Sequence, residues 1–227
     1  WQKNPQLNST IEKIYGSVIA LLESSGGVST PDLLARELVA GFDDSADRIL
    51  ERRALGVLRI ALASGLDADG ARISPVRRQA TGSVAMLTLS KQAQALPREL
   101  AKAAEKLLDG AEADGRFLVG GTEATAELRR AAAKVLGDAA DQVEVPTHVL
   151  LRIAAISSAE IALSARDELH RIPLDPRAAL REVLAGASRT ETFTVKTLRS
   201  RVAARFPHAP SLPSGDALYA LVEDVLP

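Results

Sequence analysis

The chain has no cysteine, one tryptophan, one methionine, two tyrosines, four phenylalanines and two asparagines, Asn4 and Asn8. Without cysteine there is no disulfide, no thiol nucleophile and no thiolate-ligated zinc or iron–sulfur centre. With aromatic residues at 3%, the stacking platforms of RNA- and single-strand-binding sheets cannot be assembled. No run reaches the roughly 18 uninterrupted apolar residues of a membrane span, and no signal peptide is visible. The expectation is a cytoplasmic chain with no membrane partner. An excess of one charge is also missing: 28 Lys and Arg face 29 Asp and Glu, net −1, so the chain as a whole is not a polyelectrolyte binder.

Aliphatic residues supply most of what is present. Hydrophobic residues make up 46% of 227, enough for one large domain or two small ones. A ring-poor core of Ala, Leu, Val and Ile points to closely packed helices. Of the 28 basic residues, 21 are Arg and 7 are Lys. A GC-rich coding sequence has the same effect, so arginine clusters carry less functional weight here than usual. A chain that begins at Trp1 and stops at Pro227 is expected to be a piece of a longer protein.

Apolar periodicity and punctuation divide the chain. Ser9 to Ser25 reads as a helix ended by Gly26 and Gly27. Val28 begins a short extended piece, and Ser29-Thr30-Pro31-Asp32 starts a second helix running to about Val39. Asp43-Asp44-Ser45 starts a third, to about Ser64. The period then changes. Arg72 to Arg78 and Ser83 to Leu89 read as strands flanking a turn at Gln79 to Gly82. Three helices followed by a hairpin is the order of a winged helix-turn-helix; the alternative is a three-helix bundle with an incidental hairpin.

The middle reads as helix throughout: Pro97 to Asp114, Thr122 to Leu136, and Pro146 to His170, the longest. The C-terminal stretch repeats the first plan, with a helix opened by Asp175-Pro176, an extended Thr192-Phe193-Thr194, a helix from Val195 to Phe206 and a last helix after Ser214-Gly215-Asp216. The predicted fold is therefore mainly α. Two winged-helix-like modules, 1–93 and 173–227, flank a helical linker bundle at 94–172. There is one short β-hairpin, and the second module is truncated before its wing.

On the third helix, at about 100° per residue, Ile49, Leu50, Ala54, Val57, Leu58, Ile60 and Ala61 span the predicted inner side, while Arg48, Arg52 and Arg59 fall together on the other. In a helix-turn-helix that outer face enters the major groove, where Arg contacts phosphate or forms a forked pair with guanine. Arg72, Arg77 and Arg78 add charge on the wing. These six arginines are the candidate contacts to duplex DNA. Between Ser45 and Arg78, however, seven Arg face four acids, Asp47, Glu51, Asp67 and Asp69. So small an excess predicts weak, salt-sensitive binding, and Asp47 and Glu51 are spaced to pair with Arg48 and Arg52 on a solvated face. The C-terminal module has basic residues from Arg177 to Arg205, but its last helix carries Asp216, Glu223 and Asp224, which would repel phosphate.

Catalytic chemistry finds no footing. His148, His170 and His208 lack metal-ligand spacing, and no nucleophile elbow, phosphate-binding loop or metalloprotease motif occurs. Gly120-Gly121-Thr122 before a helix could hold an anion, but Glu123 already occupies that first turn, which favours a plain helix start. The chain is expected to be no enzyme and to hold no cofactor or metal.

The run from Phe193 to Pro207 (FTVKTLRSRVAARFP), then Leu212-Pro213 and Ala217 to Leu221, resembles the region downstream of the kinase domain in actinobacterial phage-resistance serine/threonine kinases of the Pgl/BREX type. Ile161 to His170 and Pro173 to Asp175 resemble the same proteins. The resemblance implies a non-catalytic regulatory or targeting part of a defence kinase. The glycine-rich loop, H-R-D and D-F-G of a kinase are absent, so no catalytic or ATP-binding residue carries over. Two functions are expected to compete: weak duplex DNA binding by the first module, or a scaffold binding a protein partner or the parent's own kinase domain.

Overall fold

The computed structural model describes residues 5–40, 48–66, 72–78, 82–137, 145–187 and 191–226, with side chains described except at 5–11, 48–51, 61 and 63–66. It is mainly helical (63%), with nine α-helices and two small antiparallel sheets among the described residues. Three hydrophobic clusters mark three packed units.

The first unit runs α1 (Pro5–Ser24), β1 (Val28–Ser29), α2 (Pro31–Ala40), α3 (Arg48–Leu66), β2 (Ser74–Arg77) and β3 (Val84–Thr88). Glycine decides where α1 stops. Gly26 and Gly27 take φ of 76° and 79°, and the Gly27 N–H donates to the Leu22 carbonyl at 2.7 Å, which closes the helix end and turns the chain into β1. Pro31, whose missing N–H costs nothing in a first turn, opens α2. Val18, Leu22, Leu34, Leu58 and Leu87 are fully buried between the three helices and the sheet.

The second unit repeats this order. A 3-10 turn, Lys91–Ala95, capped by Ser90 Oγ accepting from the Gln92 N–H, leads into α4 (Leu96–Ala113). Gly115 has φ 72°, and the Arg116 N–H donates to the Ala111 carbonyl at 2.8 Å, again five residues back. Val119 then exchanges both backbone hydrogen bonds with Leu169, at 3.0 and 2.9 Å. There follow α5 (Gly121–Leu136), α6 (Thr147–Ser157), β4 (Ile161–Leu163) and β5 (Leu169–Arg171). The first sheet has the order β1-β3-β2. Here Val119 lies beside β5, which pairs with β4, so the order is the same. The registers differ: Val28 lies opposite Thr88, far from the hairpin turn, and Val119 opposite Leu169, next to it.

The third unit has α7 (Pro176–Leu184), α8 (Val195–Arg205) and α9 (Asp216–Val225). Asp175 caps α7 through the Arg177 N–H, Gly186 turns the chain at φ 86°, and Thr194 caps α8 through the Thr197 N–H. Phe206, fully buried, anchors its core with Leu180, Leu198 and Leu218.

Three sequence expectations are corrected. Pro146 to His170 is not one helix: α6 ends at Ser157, and the rest forms a strand pair, so the described residues hold two β-hairpins and not one. Local side-chain hydrogen bonds compete with the helix here. Ser158 Oγ accepts from the Glu160 N–H, and Ser164 Oγ accepts from the N–H groups of Arg166 and Glu168. Second, the region 94–172, expected to be helix alone, carries that strand pair and is the fuller repeat of the first unit. Third, the inner face of α3 is rotated. Leu58 and Leu62 are buried, but Val57 and Ile60 stand 43% and 42% exposed, because α1 and α2 cover only one side of the helix. The expected inward residues Ile49, Leu50 and Ala61 lie outside the described side chains, as the helix start at Asp43 to Ser45 and the turn at 79–81 lie outside the described residues.

Each strand pair also joins two units. On β3, Leu87 packs into the first core while Met86 packs into the second, as successive strand residues face opposite ways. Residues 85–88 are all buried, the burial pattern of a strand covered on both faces. On β5, Leu169 packs into the second core and His170 meets Phe206 of the third unit edge-on, ring centroids 5.6 Å apart at 90°.

Candidate functional site

The α3 helix owes its exposed face to its place at the outside of the first unit. Arg52, Arg53, Val57, Arg59 and Ile60 are all exposed there, around Gly56. Two half-exposed aliphatic side chains one turn apart, on a stretch that also exposes three arginines, make a surface with both apolar and positive character. The six arginines expected to contact DNA do not converge on it. Arg52 and Arg59 do lie on this face. Arg48 opens α3, but its side chain lies outside those described. Arg72 is held by Glu23 at 2.7 Å. Arg77 is exposed at the end of β2 and donates to the Gly82 carbonyl at 3.0 Å. Arg78 turns into a cleft between the three units, among α6 and His208. Arg53, which sequence reasoning passed over, joins the α3 face because the helix is rotated from its expected setting.

Charged contacts hold the units against each other. Asp32, in the first turn of α2, accepts from Arg152 of α6 at 2.7 Å. Burial pushes the Asp32 carboxyl up, but the neighbouring Thr30 hydroxyl and the Arg152 guanidinium outweigh it and hold the group below its ordinary value. Thr30 Oγ1 itself makes no hydrogen bond of ordinary geometry, so the contact with Arg152 is the firmer cause. At the other junction Arg205, 14% exposed, reaches Glu168 of the β4–β5 turn at 3.2 Å and Glu182 of α7 at 3.1 Å, and its carbonyl accepts from the Ala165 N–H at 2.7 Å.

His170 is fully buried at that second junction. Its Nδ1 lies 2.8 Å from the Arg171 carbonyl, which can only accept, so the neutral ring carries its proton there. Nε2 is buried with no partner. A second proton would sit on an N–H with no acceptor, so burial lowers the His170 pKa, and nearby His208 lowers it further, against the raising effects of the Arg171 carbonyl and Glu168.

Nothing in these groups resembles a catalytic constellation, and among the described residues no cluster of His, Asp and Glu could hold a metal ion. His148 and His170, expected on one helix, lie on α6 and β5. Glu123, in the first turn of α5, is engaged by a forked pair from Arg116 at 2.8 and 2.9 Å, and the Gly121 backbone lies so close to Leu151 that a Cβ would meet it at 3.3 Å. The start of α5 is thus filled by its own neighbours. Among the described residues no helix is long and apolar enough to cross a membrane. In comparisons with protein-family models, with curated proteins and with solved structures, nothing matches the chain.

Proposed function

We propose that the chain is a non-catalytic interaction module built of winged-helix-like units in tandem, which engages an acidic amphipathic segment of a protein partner through the exposed face of α3. The winged-helix-like reading is supported by the element order of the first unit, helix, strand, helix, helix and two strands with the sheet order β1-β3-β2, and by the second unit, where the Val119–Leu169 bridge stands in the place of the first strand. The third unit supplies three helices in the same sequence. The observation that carries the protein-binding reading is the pair Val57 and Ile60, exposed on the same stretch of α3 as Arg52, Arg53 and Arg59. Burying the exposed part of each aliphatic side chain contributes about 1 kcal/mol, and the guanidinium groups select for carboxylates. Arginine with apolar neighbours is the composition of interface centres.

Duplex DNA binding by the first unit is the second reading, favoured by the exposure of Arg52, Arg59 and Arg77. It loses support from the hairpin, because β3 is covered on both faces and Arg78 faces the inter-unit cleft. In either case the resemblance to a defence kinase favours a module that works beside a catalytic domain, and that domain is then a candidate source of the acidic segment.

Titrating the chain with an acidic amphipathic helical peptide and with a short DNA duplex, each at several salt concentrations, separates the readings. The Val57→Ser/Ile60→Ser double variant is expected to lose about tenfold or more in peptide affinity, from roughly 2 kcal/mol of lost burial. Duplex binding that survives this change but disappears in Arg52→Ala/Arg59→Ala would instead establish the DNA reading.

A further inference from the structure

We propose that the cleft where all three units meet binds a small organic phosphate through Arg78 and His208. The cleft has a volume of about 530 Å³, within the range of roughly 300–1,000 Å³ typical of small-molecule sites. It draws Arg78 from the first hairpin, Arg152 from α6, and His208 from the segment after α8. Part of its lining is apolar, Ile156 and Ile161 among it. A lining that combines guanidinium groups with hydrocarbon suits an anion attached to an apolar or planar body.

Arg78 is the residue with unmet hydrogen-bonding capacity. Its Nε is buried and has no hydrogen-bond partner, although a guanidinium taken from water normally recovers its lost bonds from an anion or a carbonyl. Its backbone is fixed: the Arg78 N–H donates to the Ser83 carbonyl at 2.8 Å and its carbonyl accepts from the Gly82 N–H at 2.9 Å. The side chain therefore starts from a backbone position pinned to Gly82 and Ser83. Arg152 gives Nη1 to Asp32 at 2.7 Å, and that pair is close to neutral. The positive balance of the cleft rests on Arg78, with the His208 imidazole a further hydrogen-bonding group in the lining, so the phosphate belongs with these two and not with the Asp32 carboxylate. Ser158 and Ser164, also in the lining, are engaged by Glu105 and Glu168 respectively and are not needed for the ligand. Because the lining comes from three units, an occupant would bridge them.

Calorimetric titration of the full chain at low salt with adenosine monophosphate, adenosine and inorganic phosphate tests this. Adenosine monophosphate is expected to bind saturably, more tightly than either of the other two, with inorganic phosphate competing for the same site. Arg78→Gln should weaken it about tenfold or more, the loss of a charge-assisted hydrogen bond. His208→Gln, at an exposed position, should weaken it several-fold. Arg52→Gln, on α3, should leave it unchanged. The proposal is overturned if adenosine monophosphate shows no saturable binding, if adenosine or inorganic phosphate binds as tightly, if both Arg78→Gln and His208→Gln are silent, or if Arg52→Gln weakens binding as much as they do. None of these outcomes bears on the peptide titration, which reads a different surface.

Discussion

His170 shows how much a single side chain depends on what surrounds it. As a sequence feature it is one of three scattered histidines. In the fold it is a neutral, buried ring whose Nδ1 proton is directed at the Arg171 carbonyl and whose Nε2 has no partner. The linkage follows from the direction of the shift. The unfolded chain takes up a proton near pH 6.5, the folded chain only at lower pH, so between those values the unfolded state binds more protons and stability falls as the pH drops. His170→Gln, polar but without charge, is expected to flatten that loss below pH 6.5. The measurement is the urea midpoint of both proteins as a function of pH; parallel curves would show that other groups set the acid sensitivity. The arginines show the same dependence. Arg52 and Arg72 look alike in sequence, yet one is exposed on α3 and the other is held by Glu23, 49 residues away. Periodicity marks the first as surface; only the packing of α1 beside the hairpin marks the second as paired.

At the scale of elements, the helices with a clear apolar stripe were legible, and so were their ends. Gly26-Gly27, Asp175-Pro176 and Thr194 mark helix boundaries through backbone chemistry that acts locally. Gly27, at φ 79° with open space around its Cα, is required by conformation and not by crowding. Gly27→Ala is accordingly expected to cost about 1 kcal/mol, read as a lowered denaturant midpoint with little change in slope, whereas Gly16→Ala, mid-helix in α1 with nothing within 4 Å, is expected to raise stability by a fraction of that. The strand pair after α6 was not legible. Residues 158–170 are rich in Ala, Glu and Leu, all good helix formers. They become strands because Ile161 and Leu169 are buried in the second core and Leu169 pairs with Val119, some fifty residues earlier. A non-local contact outweighs a local preference, as it commonly does for strands.

At the scale of the whole molecule, the units are linked by strands that serve two cores. Met86 belongs to the first sheet but fills the second core, together with Val28 and Leu33. Met86→Ala is expected to cost about 2–4 kcal/mol and to lower the unfolding of the first and second units together. Hydrogen exchange would report this as a common loss of protection in α2 and α6; loss confined to α2 would mean that the units unfold independently. Arg152 and Asp32 span the same junction, and their contact is part of what orients the cleft.

Composition and pattern alone determined that this chain folds as aliphatic, closely packed helices, that its chemistry excludes thiols, and where most helices begin and end. Those properties are local: they depend on side-chain type, periodicity and the backbone demands of glycine and proline. The tertiary structure decided which residues of 146–170 became strands, which way α3 faces, and which arginines remain exposed. Those outcomes depend on contacts between residues distant in the chain, whose energies no window of sequence contains. The shortage of rings and cysteines narrowed what the molecule could be; the packing of one unit's sheet against the next decided which surfaces it has left to use.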